Sequence, residues 1–435
     1  MTQSSEHSPT FQRFLAPLED FRASAEHQRL CHKVPDTEWV NLGIERVIGD
    51  HRSGCGFIQE RLLRDLLGVT KSHYFESCKS RRRRAHLASL SDQFVRHHAQ
   101  LALEANDLFG TEPAVEECLR GFHVYAGDGH FHAASSHDER DEKKTKNAVG
   151  HLYALNLRNQ LLSHLALGSD GSCKKPHDMG VLKKLDLARL RQGAAKGQKV
   201  LYVWDRAGID FAQWQKWKQR SGVYFLSRVK KNMKLEHPAA QDFDRCDPLN
   251  AGVLADELVS NSCGTLVRRV RFVVPETGET MEFLTNLGRL IPPGVVAQLY
   301  FMRWRIEKSF DEIKNKLHET KAWAMSANAK AMQAAFIVLA YNLAQLLHAK
   351  LEQEHDEHGG GGPHDPANQR QRLRRASQLS AIVVERKGQL PLLREVFQKP
   401  SQLGIKFYRW LRHHFLDPAP WSAAQARLRL LYNQS

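Results

Sequence analysis

Residues 298–317 constrain the fold and the chemistry of this chain more than any other segment. They contain no Gly or Pro and are rich in strong helix formers, which predicts one continuous helix. At about 100° per residue, Tyr300, Arg303, Glu307 and Lys314 share a stripe roughly 60° wide. A neighbouring apolar stripe is predicted to face a core and consists of Leu299, Met302, Ile306, Ile313 and Leu317. The helix thus presents a carboxylate, two cations and a phenol beside its buried side.

Arg303 and Glu307 alone indicate no function, because i,i+4 ion pairs occur on many exposed helices. Their wider spacing is more specific. The four residues are separated by gaps of two, three and six residues, in the order Tyr, Arg, Glu and Lys. This pattern resembles the Y-R-E-K signature of one family of DDE transposases, the insertion-sequence-four type of bacterial insertion sequences. Residues 303–307 also match the R-W-x-I-E wording common in that family. The resemblance implies a ribonuclease-H-like core in which Glu307 is the third catalytic carboxylate. It also implies that Tyr300, Arg303 and Lys314 contact phosphates near the cut.

Two upstream aspartates are candidates for the other carboxylates that the resemblance requires. A predicted strand at residues 122–126 runs into Asp128, and a predicted strand at residues 199–204 ends at Asp205. An aspartate after a strand is most often a turn residue or a helix N-cap. In the family, however, a strand leads into Asp-Gly for the first acid and into Asp-Arg-Gly or Asp-Arg-Ala for the second, and both patterns occur here. His130 is a departure, since the family often has a hydroxyl at that position.

The predicted elements beyond residue 120 follow the order three strands, helix, strand, helix, strand. This order is expected of an α/β fold with a mixed, ribonuclease-H-like sheet flanked by helices. Residues 230–289 are predicted to form a β-rich insertion, which is also a trait of the family. The predicted strands are 122–126, 152–157, 160–167, 199–204, 223–229, 264–274 and 281–284, and the predicted helices are 179–190, 211–219, 298–317 and 326–353.

The chain is predicted to have four parts. Residues 1–119 form an all-helical DNA-binding domain, and residues 120–354 form the catalytic domain with its insertion. Residues 355–368 include four consecutive glycines and are predicted to be a flexible linker. Residues 369–435 form a small helical C-terminal tail that binds DNA, dimerises or caps the core; the sequence does not choose between these roles.

The N-terminal part contains a run of arginines, Arg81, Arg82, Arg83 and Arg84. A helix at residues 57–67 and a second helix, with Thr70 as its N-cap and running into the arginines, form a candidate helix-turn-helix. The alternative is an ordinary helical bundle with a solvated basic face. In either arrangement the arginines are expected to bind phosphates by charge.

The net charge of +15 favours a polyanionic partner, although it does not separate DNA from RNA or an anionic membrane. The sequence shows no apolar run that is predicted to cross a bilayer, and no signal peptide. Seven scattered cysteines without a CxxC pair favour reduced thiols. We therefore expect a cytoplasmic protein, and the resemblance implies a bacterial one associated with the nucleoid.

The three carboxylates are expected to hold two Mg²⁺ ions, for which Mn²⁺ can substitute, because hard divalent cations prefer oxygen ligands. Asp128 is predicted to bridge both ions, with Asp205 and Glu307 each completing one site. Such a pair supports in-line phosphodiester cleavage. The resemblance implies binding of the terminal inverted repeats, cleavage there, joining of the 3′-hydroxyl ends to target DNA, and a homodimer on DNA. Further DNA contacts are predicted for Arg206, Arg228 and Lys230.

Two alternatives remain at the level of sequence: a non-catalytic DNA-binding regulator derived from a transposase, and a ribonuclease-H-like nuclease that cuts without joining. The hairpin mechanism of the family uses a Trp of the insertion to stack on a flipped base. No Trp lies between Trp217 and Trp304, so a hairpin step stays open, with Phe272 or Phe283 as substitutes. Histidines near Asp128 lack zinc-ligand spacing, which disfavours a zinc site.

Overall fold

The computed structural model describes ten stretches of the chain, and structural statements below refer to these. They are residues 7–22, 34–49, 53–66, 69–98, 113–140, 145–172, 177–261, 264–274, 278–357 and 402–433. The helices described are α1 (Pro9–Arg22), α2 (Asp36–Ile48), α3 (Gly54–Leu63), α4 (Lys71–Lys79), α5 (Arg81–His98), α6 (Pro113–Cys118), α7 (Asp178–Leu182), α8 (Leu187–Arg191), α9 (Phe211–Ser221), α10 (Pro293–Met302), α11 (Trp304–Asp311), α12 (Ala327–Glu357), α13 (Gln402–His414) and α14 (Trp421–Asn433).

A single mixed sheet is the centre of the fold, with strand order β3-β2-β1-β4-β5-β9-β8-β7-β6. Its strands are β1 (Phe122–His132), β2 (Val149–Asn156), β3 (Leu162–Ser169), β4 (Lys199–Trp204), β5 (Val223–Arg228), β6 (Glu236–Ala240), β7 (Val253–Ser260), β8 (Leu266–Val273) and β9 (Thr280–Thr285). Strands β1, β4 and β5 are parallel, and β2 and β3 are antiparallel to their neighbours. The predicted α/β class and the order of elements are confirmed, and the topology is ribonuclease-H-like.

Strand β1 is longer than predicted, because it has a different partner on each side. Its parallel pairing with β4 ends at Gly127 and Trp204, but its antiparallel pairing with β2 continues to His132. The prediction that Asp128 follows the strand is therefore wrong. Asp128 lies inside β1, one residue beyond the end of the pairing with β4.

The predicted insertion supplies strands β6 to β9 and extends the same sheet, since β9 pairs antiparallel with β5. One buried ion pair lies within it. Nε and Nη2 of Arg268 donate to the two carboxylate oxygens of Asp256 at 2.8 and 2.7 Å, and both side chains are 2 % exposed. Nη1 of Arg268 donates to the carbonyls of Gly288 and Ile291, so this guanidinium ties β7 and β8 to the segment before α10.

The predicted helix at residues 298–317 is not one regular helix. It starts earlier, at Pro293, and is divided into α10, α11 and a π-turn at Glu312–Lys316. Around Arg303 the bonds from the Arg303 N–H to Tyr300 and from the Ile306 N–H to Arg303 span only three residues, which tightens the turn between α10 and α11. The predicted apolar stripe is nevertheless buried throughout, each side chain at 2 % exposure or less: Leu299, Met302, Ile306, Ile313 and Leu317.

Two other predicted helices are also interrupted by polar caps. Ser80 is extended, and its Oγ accepts a hydrogen bond from the Arg83 N–H, so the arginine run begins α5 and does not end α4. In the same way Asp186 accepts from the Ala188 N–H and starts α8, which divides the helix predicted at 179–190. Thr70 does cap α4, as predicted.

The long helix α12 packs against α2, α5 and β3. It is long and apolar enough to cross a membrane by length and composition, which the sequence analysis did not expect, but 78 % of its apolar window is buried inside the protein. It is a core helix.

The C-terminal helices pack against the N-terminal part. The hydroxyl of Ser8 donates to the carbonyl of Phe415 at 2.6 Å, and the rings of Phe11 and Phe415 are 4.3 Å apart. The described part of the tail thus caps the N-terminal helices. Most of the predicted linker, residues 358–368, lies outside the described residues, and residues 355–357 end α12.

Candidate active site

Asp128 and Asp205 lie side by side on one face of the sheet. Val124 of β1 and Val203 of β4 both belong to the core that faces α10, α11 and α12. Successive side chains of a strand alternate between faces, so Asp128 and Asp205 point towards the same helices. Because Gly127 pairs with Trp204, the two aspartates occupy neighbouring positions immediately beyond that pairing.

Helix α11 brings Glu307 to this pair, and Arg303 connects the two elements. Nη1 of Arg303 donates to Oδ2 of Asp128 at 3.0 Å, and Nη2 donates to Oε1 of Glu307 at 2.7 Å. Ile306 is fully buried between these contacts and holds the helix against the core. The resemblance implies that Arg303 contacts DNA phosphates, but in the structure its terminal nitrogens bridge two of the three predicted acids.

The three acids influence one another electrostatically. Burial, with smaller contributions from the charges of Asp205 and Glu307, raises the pKa of Asp128 to about 6, against the opposing effect of Arg303. Burial alone would lower the pKa of Arg303, but Asp128, Tyr300 and Glu307 raise it above its ordinary value. The guanidinium therefore stays charged, and one positive charge faces three carboxylates.

Local hydrogen bonds hold Asp205 in place. Its Oδ1 accepts from the Ala207 N–H at 2.7 Å and starts a short 3-10 turn, Arg206–Gly208. Its carbonyl accepts from Oγ of Ser227 on β5 at 2.7 Å. The sequence analysis missed Ser227, for which no motif gave a signal.

Tyr300 and Arg228 lie near Asp205. Burial raises the pKa of the Tyr300 hydroxyl, the charges of Arg303 and Arg228 oppose this, and that of Asp205 adds to it. The Tyr300 ring packs 4.9 Å from that of Phe283 on β9. The insertion thus supports the phenol of the predicted signature. Arg228 also donates to Glu279 at 2.9 Å.

A basic groove begins directly after Asp205. Its lining includes Arg206 and Lys230, both predicted DNA contacts, together with Lys231, Asn232 and His177. His177 was missed, because nothing in its local sequence marks it.

Lys314 lies in the π-turn that follows α11 and is exposed to solvent. Burial and, secondarily, the charge of Lys314 lower the pKa of His130 to about 4, so this imidazole is neutral at pH 7. His130 stacks on Phe310 of α11 with ring centroids 4.7 Å apart, which explains an imidazole at a position where the family often has a hydroxyl.

The arginine run lies elsewhere, at the start of α5 on the β3 side of the sheet. Arg82 donates to both oxygens of Asp36 at 2.6 and 2.8 Å, and Arg83 is buried and donates to the Val34 carbonyl. Arg81 and Arg84 are exposed. The structure therefore separates a run that looks uniform in sequence into two arginines with partners inside the protein and two that face solvent.

The residues of the site fit a divalent metal. All three candidate ligands are carboxylates, the donor type that Mg²⁺ prefers. Arg303 contacts Asp128 and Glu307, and Asp205 lies close enough to act on the pKa of Asp128, so the carboxylates outnumber the arginine that contacts them and a cation would offset their charge.

A second group of candidate metal ligands has a simpler explanation. Ligand atoms of His413, His414 and Asp417 lie within 4.8 Å of one another. Nδ1 of His414 is hydrogen-bonded to Oδ2 of Asp417, and Oδ1 of Asp417 accepts from the Ala419 N–H. These bonds account for the group as the cap at the end of α13.

A comparison with known protein families gives a match that spans the sheet and the segments that carry the candidate acids. A family model described as a transposase DDE domain matches residues 121–343, more than half of the 435 residues. No curated protein matches the chain. The matched residues include Asp128, Asp205 and Glu307 and end within α12.

Proposed function

The chain belongs to the transposase DDE-domain family, and from this premise we propose that it is the transposase of a bacterial insertion sequence of the Y-R-E-K type. It binds the terminal inverted repeats of its element, hydrolyses a phosphodiester at each end, and joins the freed 3′-hydroxyls to target DNA. The observation that carries this proposal is the bridge from Asp128 through Arg303 to Glu307, with Asp205 in the neighbouring strand position.

Asp128, Asp205 and Glu307 are the proposed ligands of two Mg²⁺ ions, which Mn²⁺ can replace. When bound, the ions supply activation of the attacking oxygen and stabilisation of the leaving oxygen. Arg303 holds Asp128 and Glu307 in place and partly neutralises them before the metal binds. The hydroxyl of Tyr300 and the ammonium of Lys314, which come from the turns before and after Glu307, contact the phosphates of the cut end.

The groove with Arg206 and Lys230 continues the phosphate-binding surface beyond Asp205, and Arg228 adds charge beside Tyr300. In the N-terminal part, Arg81 and Arg84 contact the terminal repeats. Arg82 and Arg83 support them by holding the start of α5 to Asp36 and Val34. The active form on DNA is a homodimer, and the protein acts in the bacterial cytoplasm at the nucleoid.

Cleavage of a supercoiled donor plasmid carrying the native element ends tests this function. Wild type, Glu307→Gln and Asp311→Asn are compared in Mg²⁺, with binding to the ends measured in parallel. We expect cleavage at the ends by wild type and its loss in Glu307→Gln, with DNA binding retained. Asp311 is exposed on the same helix, so Asp311→Asn is the matched control and should cleave normally.

Other outcomes point to the two alternatives. Binding of the ends without cleavage by wild type would indicate a regulator derived from a transposase. Cleavage without joined products from pre-cut ends would indicate a nuclease. Cleavage that persists in Glu307→Gln would place the active site on a different helix.

A further inference from the structure

The helix that carries the proposed active site ends in an unusual way. After α11 the backbone widens into the π-turn Glu312–Lys316, in which the Leu317 N–H donates to the Glu312 carbonyl at 2.9 Å. Single π-turns inside α-helices occur frequently at functional sites. Lys314 stands in the middle of this turn, so the direction of its ammonium depends on how the turn is held.

The turn is held from two sides by residues distant in sequence. The carboxylate of Glu312 accepts from Nζ of Lys316 at 2.7 Å and from Nε2 of Gln345 on α12 at 2.8 Å. The carbonyl of Lys316 accepts from Nη2 of Arg412 on α13 at 2.5 Å, and Nε of Arg412 donates to the Ile48 carbonyl at 3.2 Å. Arg412 thus joins the end of α2 to the end of the catalytic helix.

The fit of α13 against the turn is close. Nζ of Lys316 lies 5.7 Å from the centroid of the Tyr408 ring, a cation–π distance. A Cβ at Gly404 would lie 3.0 Å from the same Nζ, so the start of α13 also lies against the end of this lysine side chain. Helix α13 therefore packs against Lys316 of the turn, whereas Lys314 of the same turn is exposed to solvent.

We propose that Arg412 and Glu312 are positioning residues for Lys314, through which the C-terminal hairpin α13–α14 sets the phosphate-binding end of the catalytic helix. The inference rests on the proposed function for the role of Lys314. The contacts of Arg412 and Glu312 that hold the π-turn do not depend on that role. The contacts and the role of Lys314 are therefore tested separately.

Hydrogen exchange of the full-length protein tests, without any DNA, whether Arg412 stabilises the π-turn. In Arg412→Gln the amides of Leu317 and Glu319, which close the π-turn, should exchange on the order of tenfold faster than in wild type. Arg409 is exposed on the same helix, and Arg409→Gln is the matched control, expected to exchange like wild type. Unchanged protection of residues 312–319 in Arg412→Gln would overturn the proposal, whether or not the protein cleaves DNA.

The link to Lys314 is tested with DNA carrying the element ends. Lys314→Ala and Arg412→Gln should each reduce end cleavage by roughly tenfold and the slope of log affinity against log salt by about one unit. The double variant should resemble Lys314→Ala, because both changes remove the same contact. Additive losses, or an unchanged salt slope in Arg412→Gln, would show that Arg412 acts only on stability and would overturn the positioning role. If Arg412→Gln loses protection but the wild-type protein cuts no DNA, the proposed function is refuted, whereas the contact between Arg412 and the turn stays supported.

Discussion

Two buried arginines, one in the outer sheet and one at the site, use their donors in opposite ways. Arg268 faces a single acid, Asp256, and completes its bonds with two carbonyls. Arg303 is shared between Asp128 and Glu307, with Asp205 also nearby, and its Nε is buried without a partner among the described residues. The first network is closed and neutral, whereas the second is open and carries excess negative charge.

This difference separates a structural ion pair from a functional one. In the pair of Arg268 and Asp256, both carboxylate oxygens already accept hydrogen bonds and the charges balance, so the pair does not call for a further ligand. An open network of one arginine and three acids is under mutual repulsion, which a metal ion or a phosphate-bound metal relieves. A carboxyl group with a raised pKa, here Asp128, beside a basic groove is typical of a functional site. Four predictions test this contrast, from the largest expected effect to the smallest.

Removing Arg268 should have the largest effect, and the effect should be on stability. Arg268→Met leaves Asp256 buried without a cation, which is expected to cost about 3–5 kcal/mol of unfolding free energy. Thermal and urea unfolding measure it. The double variant Arg268→Met with Asp256→Leu should recover most of the loss. If the double variant recovers no stability, Arg268 stabilises the fold mainly through its bonds to the Gly288 and Ile291 carbonyls and not by neutralising Asp256.

Removing Arg303 should affect activity more than stability. Arg303→Gln should lower the rate of end cleavage by about a hundredfold, or about 2.7 kcal/mol, because the carboxylates lose their common partner. Its unfolding free energy should fall by less than that of Arg268→Met, since Asp128 is 19 % and Glu307 34 % exposed, whereas Asp256 is only 2 % exposed. Arg289→Gln, at an exposed position, serves as the control. A stability loss as large as that of Arg268→Met would remove the distinction between the two networks.

The third prediction concerns pH. The pKa of Asp128 is raised to about 6, so its ionisation costs stability as the pH rises from about 4 through 6. In a chelator at pH 7.5, Asp128→Asn should therefore be more stable than wild type by up to about 3 kcal/mol. Near pH 4 the two should melt together. Mg²⁺ should raise the melting temperature of wild type at pH 7.5 but have little effect on Asp128→Asn. A constant difference at all pH values would contradict the raised pKa.

Tyr300 should give the smallest effect. Its ring packs against that of Phe283, so Tyr300→Phe keeps the packing and removes only the hydroxyl proposed to contact phosphate. End cleavage should fall by roughly three- to tenfold, with unfolding free energy unchanged within about 1 kcal/mol. Phe283→Leu, which removes the ring support, should lower stability and should not mimic this pattern.

Local periodicity was sufficient to predict the order of the core elements along the chain, the apolar stripe and the helical character of the segment that carries Glu307, because each of these patterns depends on residues close together in sequence. It failed where a distant partner decides the outcome. The end of β1 depends on pairing with β2, which carries the strand past Asp128 to His132. Likewise, Arg82 was indistinguishable from Arg81 in sequence, since its partner Asp36 lies 46 residues away.

The placement of the candidate acids on one face was also beyond the sequence. It required knowing that Gly127 pairs with Trp204, a contact that no spacing encodes. Only one of the two hydrogen bonds of the Arg303 bridge could be predicted from the sequence. Its bond to Glu307 follows from i,i+4 spacing, but its bond to Asp128 joins residues 175 positions apart.

The contact between Ser8 and Phe415 has a consequence for synthesis on the ribosome. These residues are 407 positions apart, so at ribosomal rates roughly 20–80 s pass between their translation. Throughout that interval Phe11 lacks its C-terminal cover. Glu307 is also translated well before Arg412, which bonds the π-turn that follows α11. An mRNA cut short after α12 would encode every acid of the site, yet yield a protein whose first helix stays uncovered and open to proteases.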